Sequence, residues 1–228
     1  MSKLSQVLDE IRAKIAKLPD KNLSEENTKT RLINPVLRAL GWDPENPEDV
    51  TMEDREGKYH PPDYVLLLQG KPKLLVEAKR LGEKLEGDKW ADKLMGYVGA
   101  AAAGAEWIVL TNGDEYHIYN ATVHVSSFGQ RLFRKVRLTK PDDPTEETLA
   151  LLSKEGIGDG DINDQWETSF ADSQVRAAIE KLFSRSPDSL SVLFSFVNKH
   201  VNKGLNRKQI RASLARKQAN PSWLYSFT

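Results

Sequence analysis

The chain has 228 residues, of which 39% are hydrophobic and 29% charged, so it is long enough for one well-packed domain with a smaller appendage. Its 33 basic and 33 acidic residues cancel, so net charge alone indicates no class of partner. The absence of cysteine excludes disulfides, thiolate metal sites and cysteine nucleophiles, and the lack of a signal peptide or long apolar run predicts a cytoplasmic protein without a membrane span.

The N-terminal part of the chain is predicted to be helical. Apolar residues recur at helical spacing over residues 3–18 and again over residues 24–41. Ser24 is suited to cap the second helix and Gly41 to end it. Pro35 lies inside this second segment and lacks the N–H that a helix needs, so we expect a kink or a break there.

The middle of the chain predicts a β-sheet. Apolar runs at 64–68 and 74–78, separated by a turn around Gly70, predict a hairpin of largely buried strands. A helix is expected over residues 88–103. Further strands are expected at 106–111, at 115–119 after a tight Asn112-Gly113 turn, and within 123–138. This order of helices and strands indicates the α/β class.

Composition changes after residue 140. Residues 141–168 hold nine acidic residues and one basic residue, with frequent glycine and proline, which is typical of a linker. From Ser189 onward there are seven basic residues and no acidic one. Amphipathic helices are expected beyond the linker at 172–185, 188–202 and 206–217. We therefore predict a first domain over 1–140, the acidic linker, and a small, basic, all-helical C-terminal domain over 169–228.

The second strand of the predicted hairpin ends in the charged run Glu77-Ala78-Lys79. Side chains two apart in a strand share a face, so Glu77 and Lys79 point the same way. Folding the hairpin about Gly70 sets Asp63 opposite Glu77 with Cβ atoms about 5 Å apart, and like charges placed so destabilise a sheet. A cation between them removes the repulsion. Lys79 and a divalent ion such as Mg²⁺, which prefers oxygen ligands, both meet that need, and a salt-bridged hairpin without metal remains an alternative.

Pro62-Asp63 followed by Glu77-Ala78-Lys79 resembles the signature of PD-(D/E)xK nucleases. The similarity extends over residues 24–120 and includes Tyr97 and the segments EENTK, LINPVLRALGWD, PDYVLLL, LLVEAKRLG and WIVLTNG. In this order they resemble the N-terminal nuclease domain of type I restriction enzyme R subunits and its stand-alone relatives. The resemblance implies a restriction-endonuclease-like mixed β-sheet core flanked by helices.

The resemblance also implies an activity: hydrolysis of phosphodiester bonds, in DNA and in a restriction- or defence-like context, with Mg²⁺ or Mn²⁺ as cofactor. Asp63 and Glu77 would hold the metal ion, and Lys79 would assist the attacking water or the transition state. A glutamate of the first family helix often completes the acidic set, and Glu25 lies at the matching position. Stabilisation of a helix N-terminus explains an acid at Glu25 equally well.

The family usually carries a Gln-x-x-x-Tyr helix after the ExK residues. This chain has Lys93 and Tyr97 in those places, so the tyrosine is kept and the glutamine is replaced. Residues four apart share a helical face, and both are candidate substrate contacts. The alternatives are a solvated lysine and a core tyrosine. His60, three residues before Asp63, is a further candidate for the cleft.

Arg207, Lys208 and Arg211 lie on the outward face of the last predicted helix and are candidate nucleic-acid contacts. The preceding Gly204 turn is compatible with a helix-turn-helix. A solvated helical face and a partner-binding helix explain the same charges. The rival to an enzyme is therefore a catalytically inactive nuclease-fold module that binds nucleic acid or assembles a complex. Either protein is compatible with a homodimer.

Overall fold

The computed structural model divides the chain into two units, Met1–Glu167 and Thr168–Thr228. All the described strands belong to the first unit. The residues that the structure describes are 2–18, 23–52, 61–86, 90, 93–94, 96–97, 104–125, 127–182, 187–200, 204–206, 208–210 and 212–213.

A six-stranded sheet forms the centre of the first unit. Its strands lie side by side in chain order: β1 (Val50–Met52), β2 (Tyr64–Leu68), β3 (Lys71–Ala78), β4 (Trp107–Thr111), β5 (Glu115–Asn120) and β6 (Leu132–Arg137). Neighbouring strands are antiparallel, except that β3 and β4 run parallel and are joined by residues 79–106. A mixed sheet with surrounding helices confirms the predicted α/β class.

The strands β2 and β3 form the predicted hairpin. Tyr64 lies opposite Val76, the register that folding about Gly70 requires. The pairing shifts by one residue after Leu66, on the side nearer the turn. Pro72 lies at this shift, and because proline has no N–H for the ladder, strands accommodate it mainly at edges and bulges. The register beyond the bulge sets the residue before β2 opposite the end of β3.

The N-terminal helices are α1 (Lys3–Ala16), α2 (Glu25–Thr28), a π-helical turn (Lys29–Ile33) and α3 (Asn34–Ala39). The predicted N-cap at Ser24 is confirmed, since its side-chain oxygen accepts the Asn27 N–H at 3.3 Å. This bond satisfies one of the amide groups that a helix start leaves without a partner.

The irregularity expected at Pro35 takes the form of the π-helical turn just before it. The Asn34 N–H donates to the carbonyl of Lys29, five residues back rather than four. Proline cannot donate to the carbonyl of Arg31, and its ring crowds that group. One wide turn relieves the conflict, so the helical run continues to Ala39 instead of breaking.

Apolar side chains cover both faces of the sheet. Residues of β3, β4 and β5 cluster on one face with side chains from the β3–β4 connection: Leu75, Leu85, Leu94, Tyr97, Ile108, Leu110, Tyr119 and Ala121. On the other face, side chains of α3 and of residues 149–152 meet Leu74, Val76 and Val109. Burial on both sides explains why β4 and β5 are buried along their whole length.

The acidic stretch predicted as a linker needs correction. It contains α4 (Thr145–Ala150), α5 (Lys154–Asp159) and the start of α6 (Asp161–Leu182), and it belongs to the first unit as far as Glu167. The acids point outward while apolar residues at helical spacing are buried, namely Leu149, Leu152, Ile157, Ile162 and Trp166. The indole N–H of Trp42 donates to the carbonyl of Leu152 at 2.8 Å and ties the stretch to the end of α3. A count of charged residues does not reveal this helical spacing of the apolar residues.

In the second unit, helical structure covers the end of α6, α7 (Pro187–His200) and residues 208–210 and 212–213. The helix predicted from residue 172 therefore begins earlier, at Asp161. Within the described ranges, no helix combines the length and the apolar character needed to cross a membrane.

The β4–β5 turn depends on Gly113. Its φ of +83° lies in the left-handed region, and a Cβ built there would lie 2.9 Å from the Cβ of Leu32 in the π-helical turn. The Asn112 side-chain oxygen accepts the N–H groups of Asp114 and Glu115 and closes the turn. The turn is therefore fixed both by its backbone and by contact with the helical layer.

We expect Gly113→Ala to lower the free energy of unfolding by more than Gly160→Ala does. Gly160 has a similar φ of +85° with nothing within 4 Å of a built Cβ, so it reports backbone strain alone. The difference should be about 1–3 kcal/mol, the usual cost of overpacking. Urea unfolding followed by tryptophan fluorescence measures both variants, and equal losses would show that the Leu32 contact has no effect.

Candidate active site

The β2–β3 hairpin brings Asp63, Glu77 and Lys79 to one end of the sheet. Asp63 immediately precedes β2, and Lys79 immediately follows β3. The backbone fixes both ends, because the Ala78 N–H donates to Asp63 Oδ2 at 2.7 Å and the Lys79 N–H donates to the carbonyl of Thr111 at 2.7 Å. The three charged residues are only 8%, 1% and 8% exposed, respectively.

Glu77 is surrounded by donors. Its Oε1 lies 2.5 Å from Lys79 Nζ and 2.6 Å from Lys93 Nζ, and its Oε2 accepts the Tyr97 hydroxyl at 2.7 Å. A buried carboxylate costs several kcal/mol of lost hydration unless it is paired and hydrogen-bonded, and this set supplies both. The two residues of the Lys-x-x-x-Tyr helix segment therefore contact the acid of the ExK run directly.

Asp63 pairs with Lys29, a residue that the sequence analysis did not single out. Lys29 Nζ is bonded to Asp63 Oδ1 and also lies 3.7 Å from Glu25 Oε1. Glu25 Oε2 lies 3.6 Å from Lys79 Nζ, so Glu25 stands between two ammonium groups. Three carboxylates and three lysines thus converge in one charge cluster, which consists of Glu25, Lys29, Asp63, Glu77, Lys79 and Lys93.

The two central acids have opposite pKa shifts. Burial raises the pKa of Asp63, and the nearby charge of Glu77 adds to the rise against the opposing bond from Lys29. Burial also acts to raise the pKa of Glu77, but the bonds from Lys79 and Lys93 outweigh it and lower that pKa. Burial acts to lower the pKa of Lys29, yet its bond to Asp63 prevails and raises it. Glu77 is thus held ionised, whereas Asp63 is the acid whose charge is costly.

Helix α2 and Trp90 support the charge cluster. Thr28 is fully buried, and its hydroxyl accepts the Leu81 N–H at 2.9 Å while donating to the carbonyl of Ser24 at 2.9 Å. These bonds fasten α2 to the chain just beyond Lys79. The Lys79 ammonium lies 4.8 Å from the centre of the Trp90 ring, a cation–π contact that orients the side chain.

The remaining candidates are placed as follows. His60, Arg207 and Arg211 lie outside the described residues, and Lys208 is exposed in the second unit. Sequence reasoning missed Lys29, although one signal was available. Glu25 and Lys29 are four residues apart in a helical segment, the spacing at which opposite charges pair.

The arrangement of the acidic side chains can be compared with the predicted metal site. Among the residues that the structure describes, no group of three or more histidine, cysteine, aspartate or glutamate side chains is arranged to hold a metal ion. The predicted trio of Asp63, Glu77 and Glu25 is therefore not assembled as a set of ligands. Mg²⁺ usually takes one or two carboxylates and completes its shell with water and phosphate oxygens, so Asp63 and Glu77 are the two acids that would hold such an ion here.

Comparisons with known proteins add no relative: no protein-family model matches the chain, and neither a curated protein nor a solved structure matches it. The resemblance to nuclease domains of type I restriction enzymes therefore stays a prediction that rests on the residues themselves.

We expect Glu77→Gln to lower the free energy of unfolding at pH 7 by about 3–5 kcal/mol, because it leaves the buried Lys79 ammonium and the half-buried Lys93 ammonium without their shared anion. The lowered pKa of Glu77 fixes the sign of the pH dependence. The ionised acid stabilises the fold above its unfolded-state pKa of about 4.3, and this stability is lost as the pH falls through the lower folded-state value. The gap between wild type and variant should therefore close in acid.

Urea unfolding at pH 7, 5 and 3 measures this gap. Glu45→Gln is the matched control, since Glu45 forms an exposed ion pair with Arg38 and should unfold like wild type. A Glu77→Gln variant as stable as wild type at pH 7, or a gap that does not narrow in acid, would contradict the role assigned to the lysines.

Proposed function

We propose that the protein is a Mg²⁺-dependent nuclease that hydrolyses phosphodiester bonds in DNA. The observation that carries the proposal is the meeting of Asp63 and Glu77 at neighbouring strand ends, with the Lys79 ammonium 2.5 Å from Glu77. Paired carboxylates can hold a divalent ion that activates a phosphodiester, and a lysine beside them can stabilise the negative charge that develops on the phosphate. The proposal includes a restriction-endonuclease-like arrangement of the sheet and a helical C-terminal domain.

Each residue has a definite task in this proposal. Asp63 and Glu77 would hold the ion, and a divalent ion held there supplies Lewis-acid activation of the phosphodiester. Lys79 presents its ammonium group to the negative charge that develops on the phosphate during hydrolysis. Tyr97 and Lys93 bind Glu77 and fix the direction of its oxygens.

The charge cluster explains why an ordinary ion-pair network is the weaker reading. A structural salt bridge needs one partner for each charge, and buried ion pairs add little net stability. Here two lysines serve the single oxygen Oε1 of Glu77, at the open end of a hairpin rather than in its middle. Groups with shifted pKa values cluster at functional sites, and the raised pKa of the buried Asp63 beside Glu77 supports the proposal in this sense.

Lys79→Ala should reduce the rate of DNA cleavage about 100-fold or more, because one preorganised charge facing the transition state is worth that much. Purified protein, supercoiled plasmid and Mg²⁺ or Mn²⁺ provide the assay, and chelation with EDTA should abolish cleavage. Asp63→Asn and Glu77→Gln should be similarly inactive.

Lys73→Ala is the matched control. Lys73 lies on the same strand and forms its own ion pair with Glu106, away from the charge cluster, so this variant should cleave like wild type. Equal cleavage by wild type and Lys79→Ala would mean that the activity has another source. DNA binding that survives EDTA, falls steeply with salt and causes no cleavage would instead favour the non-catalytic binding module.

A further inference from the structure

The contact between Lys29 and Asp63 has a consequence for cation binding. One oxygen of Asp63, Oδ2, is held by the main-chain N–H of Ala78 at 2.7 Å. The other oxygen, Oδ1, carries the ammonium group of Lys29. A cation shared with Glu77 needs Asp63 with its charge available, and the same carboxylate is already neutralised by a lysine of its own chain.

Lys29 also has a second acceptor within reach. Glu25 Oε1 lies 3.7 Å from Lys29 Nζ and is placed one helical turn earlier on the same run. Glu25 is 45% exposed in its side chain, whereas that of Asp63 is 7% exposed. A rotation about side-chain bonds therefore suffices to carry the ammonium group from the buried acid to the exposed one, without a change in the backbone.

We propose that Lys29 is the resident counter-ion of Asp63, and that it moves to Glu25 when Asp63 and Glu77 take up a divalent cation. The inference rests on the proposed function, since it assumes that this pair of acids is the cation site. It makes Lys29 a positioning residue that lowers cation affinity, and it makes Glu25 the acceptor of Lys29 rather than a third ligand.

The geometry favours movement of Lys29 to Glu25 over a state in which Lys29 and the divalent cation both remain on Asp63. A Lys29 ammonium left on Asp63 Oδ1 would lie beside the incoming cation, and two positive charges at contact distance repel strongly in a partly buried site. Moving to Glu25 separates the charges and keeps the lysine paired. The wide π-helical turn that begins at Lys29 supports its position between the two acids, and such turns occur often at functional sites.

Calorimetric titration with Mn²⁺ in the absence of DNA tests the exchange. Lys29→Met should bind Mn²⁺ more tightly than wild type, by roughly tenfold or more. An opposite charge within about 4–6 Å lowers the proton affinity of a carboxylate by about one to three powers of ten, and a metal cation is attracted by the same negative charge. Lys29→Arg keeps the charge and should bind as wild type does. Lys73→Met is the control for loss of a lysine elsewhere and should also leave the affinity unchanged. Should Lys29→Met fail to fold, Lys29→Gln carries the same expectation.

A double-mutant cycle assigns the role of Glu25. Glu25→Gln removes the second acceptor of Lys29, so it should weaken Mn²⁺ binding more in the wild-type background than in Lys29→Met, where only the contact of Glu25 with Lys79 is lost. A ligand role predicts equal weakening in both backgrounds and would overturn the exchange.

The outcomes separate the two proposals. Loss of Mn²⁺ binding in Asp63→Asn together with tighter binding by Lys29→Met supports both. Binding that depends on Asp63 but is equal or weaker in Lys29→Met overturns the exchange and leaves the nuclease proposal standing. Wild type that binds no Mn²⁺, or that binds it equally after Asp63→Asn, overturns the cation site and the exchange with it.

Discussion

A buried acid pair at the open end of one hairpin governs the organisation of the first unit. Glu77 is almost completely removed from water and Asp63 nearly so, and like charges on paired strands repel. Ammonium groups from three parts of the chain pair with these acids. Lys79 follows the end of β3, Lys93 lies in the β3–β4 connection, and Lys29 lies in the N-terminal helical run. Elements far apart in sequence are therefore linked through their contacts with the buried carboxylates of Asp63 and Glu77.

This constraint explains features that otherwise look unrelated. Thr28 fastens α2 to the chain beyond Lys79, which keeps Lys29 within reach of Asp63. Gly113 leaves room for Leu32 on the adjoining turn, so the helical layer can approach the strand ends closely. The π-helical turn that begins at Lys29 follows from the proline that interrupts the hydrogen bonds of the N-terminal run.

The hairpin and its acids could be predicted from sequence because the responsible interactions are local. The two-residue period of a strand and a short turn suffice to set Asp63 near Glu77. The observed pairing of Tyr64 with Val76 is the register of a hairpin folded about Gly70. Lys29 and Trp90 could not be found in this way, since their contacts with Asp63 and Lys79 join segments that only the tertiary fold brings together. The prediction for residues 141–167 was wrong for a different reason. Their many acids suggested a linker, but burial depends on the spacing of the few apolar residues.

The bulge at Pro72 separates the two ends of the hairpin. A one-residue slip in a strand pair would turn every side chain to the opposite face. The shift after Leu66 is confined to the half of the hairpin nearer the turn, so it does not alter the pairing near Asp63 and Glu77. The tip at Gln69 and Gly70 is exposed and lies on the far side of that irregularity. Loop tips of this kind tolerate added residues, so a fluorescent label or an affinity tag can be grafted there while the charge cluster at the other end keeps its alignment.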